Sequence, residues 1–278
     1  MITEPFFLAS GAGHVFAVYH RPAVGIALRG NVLLAAPFNE EMNRCRSMVT
    51  LQAKAWAEIG WGTLVIDLPG TGDSEGEHGD ARWLGWQQAL AAAHQWLAAR
   101  PAGLRAIWGI RLGAILAAEL HASLADPGVA LLLWQPVLDG KLHLTQFLRV
   151  RMAAQLDRAD LPKETTASMR AQWAAGQSVE VAGYEIHPDL ATHIDAARLA
   201  SHQPAAGSRV FWLEQATGEP AEVTPASQAL LARWPGTAVQ VDTALFNGPA
   251  FWQVHERLEA PHAVELTTQW MGRWPMPA

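Results

Sequence analysis

The chain of 278 residues has one cysteine, Cys45, and only 17% of its residues are charged. A single thiol excludes an internal disulfide framework and fits a reducing compartment. The net charge is −6 and no Lys/Arg cluster stands out, which excludes the electrostatic footprint of a nucleic-acid-binding protein. No uninterrupted apolar run is long enough to span a bilayer. The first nine residues lack the basic start of a secretion signal. Together these absences predict a soluble, cytoplasmic protein. What is abundant is apolar surface, with 50% of residues hydrophobic, enough for one α/β domain with an insertion. Thirteen tryptophans run from Trp56 to Trp274 without forming a repeat, and are expected to fill the core and line pockets.

Short β-prone runs at 6–9 and 15–19, separated by Ser10-Gly11-Ala12-Gly13, read as an opening hairpin. Apolar runs at 31–36, 63–67, 105–108 and 129–134 read as strands covered on both faces. Helical patterns lie between them, one carrying Met48, Leu51, Ala55 and Ile59, another over 81–99. Strands and helices alternating at this spacing imply βαβ crossovers and a mainly parallel sheet. From 141 to 206 the rhythm breaks into helices at 142–156, 164–174 and 188–199, with an alternating stretch at 178–186. This segment is predicted to be a cap inserted into a core formed by 1–140 and 207–278. Strands at 209–213 and 238–241 and a helix at 261–270 complete the core. The prediction is an α/β fold: a mostly parallel sheet of about eight strands with helices on both faces and ligand bound under the cap.

The stretch Gly109-Ile110-Arg111-Leu112-Gly113 ends an apolar run and passes into an Ala/Leu-rich helix. It reads as a strand, a strained turn relieved by glycines, and a helix whose N-terminus faces a ligand. With the turn Asp67-Leu68-Pro69-Gly70-Thr71-Gly72-Asp73-Ser74 and the order of elements, it resembles the α/β-hydrolase superfamily over essentially the whole chain. Pro37-Phe38-Asn39-Glu40-Glu41-Met42-Asn43, Val179-Glu180-Val181-Ala182-Gly183-Tyr184 and Gly248-Pro249-Ala250-Phe251-Trp252-Gln253 resemble one branch. That branch is the second type of hydrolase associated with the exosortase A system, in bacteria that make exopolysaccharide and sort proteins by a C-terminal signal. The resemblance implies a hydrolase of ester or thioester bonds, or an acyl-transfer enzyme, with protein partners in that system. No metal or cofactor is expected.

Members of this superfamily carry the nucleophile in the middle of Gly-x-Ser-x-Gly, where this chain has Arg111, and a guanidinium has no usable lone pair. Ser74 sits on a turn, where a hydroxyl bonding nearby backbone is the ordinary role. Cys45 and Ser47 fall on the first helix. The usual histidine after the last strand is missing, since Pro249 follows Gly248. His255 and His262 are the nearby candidates for the base, and Asp139, Glu214 or Glu219 for the acid. The Leu112 N–H and one from Phe38-Asn39 would form an oxyanion site. Arg111 either holds a carboxylate or phosphate or pairs internally with Glu40, Glu41 or Asp139, because a buried charge is costly unpaired. Glu40, Glu41, Trp108 and Trp252 are candidate pocket walls. Three readings follow: a hydrolase with an unorthodox nucleophile, a silent hydrolase fold binding an anionic or acyl ligand at Arg111, and a scaffold subunit.

Overall fold

Two β-prone runs open the chain as a hairpin of β1 (Ile2–Ser10) and β2 (Gly13–Arg21). The computed structural model describes residues 1–154, 164–234, 238–253 and 256–274. Strands and helices then alternate: β3 (Gly30–Ala35), α1 (Glu40–Glu58), β4 (Trp61–Ile66), α2 (Trp83–Ala98), β5 (Leu104–Ile110), α3 (Gly113–Leu124) and β6 (Ala130–Trp134). A segment that adds no strand to the main sheet follows, with α4 (Gly140–Ala154), α5 (Thr166–Ala174), a small hairpin of β7 (Val179–Val181) and β8 (Tyr184–Ile186), and α6 (Pro188–Ala196). The chain ends through β9 (Arg209–Gln215), α7 (Pro225–Leu231), β10 (Gln240–Phe246) and α8 (Pro261–Gly272). No described helix is long and apolar enough to cross a membrane.

Eight strands form one sheet in the order β1-β2-β4-β3-β5-β6-β9-β10, the expected mostly parallel sheet with helices on both faces. Only the β1–β2 and β2–β4 pairs are antiparallel. All pairs from β4 to β10 are parallel, so six strand C-termini share one edge, the place where such sheets take ligands.

Period-two alternation sorts the central side chains between two cores. Leu33, Ile107, Leu131, Leu133 and Trp212 face α2, α3 and the helices α4 to α6. Leu34, Ala106, Trp108, Leu132, Trp134 and Phe211 face α1 and α8. The second core contains a chain of rings in edge-on contact. Trp56 meets Trp108 at 5.0 Å, Trp108 meets Trp134 at 4.8 Å, and Trp134 meets Phe251 at 6.1 Å. Phe251 meets Trp252 at 5.1 Å, which carries the chain to the sheet edge. Such pairs add about 0.5–1.5 kcal/mol each beyond the area they bury.

Three elements differ from expectation or resolve it. The stretch at 178–186 is a hairpin turned by Ala182 (φ 53°) and Gly183 (φ 86°), the paired positive φ of a tight hairpin turn. The last strand runs to Phe246, beyond the expected 241, because Gln240, Asp242 and Thr243 are exposed on an edge strand and dilute its apolar pattern. Helix α7 was not expected. Its seven residues are too few for a periodic signal, and it is started by Pro225 and by Thr224 accepting the Ser227 N–H. Residues 155 and 156 of the expected helix 142–156 lie outside the described residues.

Trp108 has no exposed surface and sits between two other indoles. Trp108→Ala is expected to lower unfolding free energy by about 3–5 kcal/mol in urea titrations.

Candidate functional site

Between the last residue of β5 and the first of α3 the backbone bends sharply at Arg111, whose φ of 54° lies in the left-handed region. A side-chain-bearing residue adopts that region only where its surroundings enforce it. Here the Arg111 N–H donates to Trp134 O, and its carbonyl accepts from Ala114 and Val137, all at 3.1 Å. The flanking glycines let the helix pass close to the sheet. A Cβ on Gly109 would lie 2.5 Å from Ala114 Cα, and one on Gly113 would lie 2.2 Å from Ala35 O. The bend therefore presents the Arg111 side chain at the edge where the strands end.

Beside it is a cavity of about 470 Å³. Helix α1 contributes Glu40, Glu41 and Arg44, α4 contributes His143 and Phe147, and Trp252 closes one side. Arg111 donates from Nε to Glu41 Oε1 at 3.0 Å and from Nη1 to Gln135 O at 3.1 Å. Its guanidinium lies 5.3 Å from the centre of the Trp252 ring, within range for a cation–π contact. The two side chains of the ion pair are 14% and 17% exposed, so the charge is largely desolvated and compensated inside the protein. The second Glu41 oxygen, Oε2, is buried without a hydrogen-bond partner, as is His143 Nε2 at 4.0 Å from it. Burial holds the His143 imidazole below its ordinary value of 6.5, with Glu41 pulling it up and Arg111 pushing it down.

The β7–β8 hairpin is tied to the start of α1. Tyr184 donates to Glu40 Oε1 at 2.6 Å and accepts from Asn43 Nδ2 at 3.2 Å. Burial lowers the His78 pKa. The His78 Nδ1 lies 2.7 Å from Glu185 O and its Nε2 2.6 Å from Asn39 Oδ1, so the ring ties the loop before α1 to the β7–β8 hairpin.

No family model matches the chain, and no curated protein matches it in sequence. Solved structures do match in shape. Est1E from Butyrivibrio proteoclasticus, solved with ferulic acid bound, superposes with a TM-score of 0.65 at 14% identity over 96% of each chain. A highly thermostable carboxyl esterase from Bacillus coagulans, in complex with glycerol, gives 0.63 at 13% identity over 98% of each chain. An α/β serine hydrolase without lid from Xanthomonas campestris gives 0.57 at 16% identity, covering 99% of this chain and 96% of that one. This chain has the α/β-hydrolase fold.

On that hydrolase fold the residues singled out in the sequence scatter. Glu40, Glu41, Arg111 and Trp252 line the cavity, as does Phe38. Asn39 and Leu112 do not line it. With Phe38 they enclose a separate recess of about 10 Å³, room for about one water at most. Trp108 is not a pocket wall, because its place on β5 turns it into the α1/α8 core. Asp139 is spent at the start of α4, where it accepts the Leu142 N–H and pairs with Arg198 at 3.2 Å. Glu219 is exposed in the loop after β9. Glu214 is buried and takes the Trp212 indole N–H, the Thr224 N–H and the Ser227 hydroxyl. His262 Nδ1 accepts the Asn247 N–H. Ser74 bridges two backbones, donating to Asp67 O and accepting from Phe16. Cys45 is wholly buried, and burial pushes its thiol far above the ordinary range. Ser47 does not line the cavity, and His255 lies outside the described residues.

His143 was missed. Its only signal is a stripe on α4, where His143, Phe147 and Val150 fall at i, i+4 and i+7 and all line the cavity. Among the described residues no cluster of His, Cys, Asp and Glu could hold a metal ion.

Two outcomes follow. Glu41→Gln strands the Arg111 cation in a mostly desolvated place, and is expected to cost about 2 kcal/mol of stability by urea titration, between the values for exposed and buried pairs. His143 has a lower pKa folded than unfolded, so the unfolded chain binds more protons as pH falls below 6.5. The stability that neutral His143 contributes is complete above 6.5 and is lost as pH drops toward its folded pKa. His20, His78, His94 and His121 shift the same way. Urea midpoints are expected to fall from pH 7.5 to 5.5, less steeply in His143→Gln.

Proposed function

We propose that this protein binds an acyl ligand in the cavity beside Arg111 and does not hydrolyse it by a serine mechanism. Arg111 takes the place at which hydrolytic members of the fold carry their nucleophile, so the triad is degenerate. The observation that carries the reading is the cavity lining. At the bend stands a cation already neutralised by Glu41, and the described lining residues include no hydroxyl or thiol. The compensated charge favours an uncharged acyl group over a free anion, since Glu41 repels a second carboxylate at that point. Among the described residues Arg111 donates only through Nε and Nη1, so its Nη2 hydrogens can donate to an ester or thioester carbonyl. Phe38, Phe147 and Trp252 supply apolar walls for the acyl body. The exosortase and exopolysaccharide setting rests on sequence resemblance and enters as cellular context.

The test joins labelling to binding. A fluorophosphonate probe is expected to modify no serine, and p-nitrophenyl butyrate to turn over at the buffer rate in both wild type and Arg111→Ser. Methyl decanoate is expected to bind saturably by calorimetry, with affinity reduced about tenfold in Arg111→Ala, the equivalent of one hydrogen bond to a charged group. Stoichiometric labelling of one serine, with turnover lost on its substitution, overturns the proposal.

A further inference from the structure

The acyl cavity has a neighbour of opposite character. A recess of about 250 Å³ is lined by Glu40, Asn43, Arg44, Ser47, Glu256 and Arg257. Glu40 and Arg44 line both spaces, so the two share a wall on α1. The cavity has Phe38, Phe147, Val150 and Trp252 in its lining, whereas no apolar side chain is among the described residues that line the recess. A ligand that fills both has one apolar end and one polar end.

Charge and hydrogen-bonding capacity say what the polar end is. The cations of the recess are already engaged. Arg44 Nε lies 4.0 Å from Glu40 Oε2, and its Nη1 donates to Gln253 O at 2.8 Å. Arg257 donates to Glu259 at 2.8 Å. A phosphate or carboxylate therefore meets no uncompensated cation among the described lining residues, and Glu40 and Glu256 repel it. A quaternary ammonium finds no aromatic face there to lie on.

Hydrogen bonding in both directions is what the recess offers. Tyr184 donates to Glu40 Oε1 at 2.6 Å and accepts from Asn43 Nδ2 at 3.2 Å, which holds both side chains in place before anything binds. Glu40 Oε2, on a side chain 35% exposed, and Asn43 Oδ1, on an exposed residue, remain able to accept. Arg257, with its side chain 70% exposed, has guanidinium hydrogens beyond the one given to Glu259. Donors and acceptors set together on accessible side chains suit a group that both gives and takes hydrogen bonds, and several hydroxyls on one small skeleton do that.

We infer that the ligand is an acyl ester of a neutral polyol. Its acyl body lies in the aromatic cavity with the ester carbonyl at Arg111, and its alcohol portion, a glycerol or a sugar, crosses Glu40 and Arg44 into the recess. This rests on the proposed acyl-binding function and names the alcohol to which the acyl group is joined.

The experiment compares methyl decanoate, monodecanoylglycerol, decanoylglucose and decanoylcholine by calorimetry on the whole protein, each below the concentration at which it forms micelles. At least one polyol ester is expected to bind about tenfold tighter than methyl decanoate, the scale of one or two neutral hydrogen bonds. Decanoylcholine is expected to bind no tighter than methyl decanoate. Asn43→Phe sets a ring into the recess from an exposed helix position, while Tyr184 keeps its bond to Glu40. In that variant the polyol and methyl esters are expected to bind within about twofold of each other. Equal affinity of wild type for the methyl and both polyol esters, a result that needs no variant, overturns the polyol inference and leaves the acyl reading standing. A polyol preference that survives in Asn43→Phe, or tightest binding of the choline ester, also overturns it. Failure of all four esters to bind overturns both.

Discussion

A permanent cation at the edge of a parallel sheet has to be neutralised, and the Glu41–Arg111 pair is how this protein does it. Arg111 cannot retreat, because its backbone is pinned at a positive φ by hydrogen bonds to Trp134, Ala114 and Val137. The compensating charge has to come to it. Glu41 arrives from the first turn of α1, where a carboxylate is also favoured by the positive end of the helix dipole. Gln135 turns its carbonyl to Nη1 from its own positive-φ position, and Trp252 lies against the guanidinium. Three segments distant in sequence are thus held to one side chain. The cavity is what remains between them and α4.

The neighbouring carboxylates divide their work. Glu41 faces inward to the arginine, while Glu40 faces the β7–β8 hairpin and takes the Tyr184 hydroxyl. One helical turn therefore couples the bend of the sheet to the hairpin above it. Asn39, just before that turn, is tied to the same hairpin through His78 and Glu185 O. Phe38, one residue before, lines both the cavity and the small recess at Leu112.

The frame was legible in the sequence because it rests on local signals. Buried strands read as apolar runs, and the Gly109 to Gly113 spacing reported a helix passing tightly against a strand, which the close approaches to Ala114 and Ala35 explain. That Arg111 would either hold a ligand's carboxylate or phosphate or pair with an internal acid was also legible, and Glu41 was among the three internal candidates. Which one was not, because the choice depends on geometry across seventy residues, and Asp139 was already committed to Arg198. Trp108 misled for a related reason: sequence proximity to the bend says nothing about the face a strand residue takes, and alternation sends it to the opposite core. His143 stayed hidden because a lone histidine in a mixed helix gives no chemical signal until the fold sets it opposite Glu41.

The ring series that ends under Arg111 has an optical consequence. Indoles whose centres lie 4.8 to 5.0 Å apart are close enough for excitation to pass between them. Ultraviolet excitation absorbed at Trp56 is therefore not confined to the ring that received it. It can migrate through Trp108 to Trp134, two rings from the Trp252 at the cavity wall. The molecule carries an internal antenna that ends near a cavity where a bound molecule would change the surroundings of an indole, Trp252.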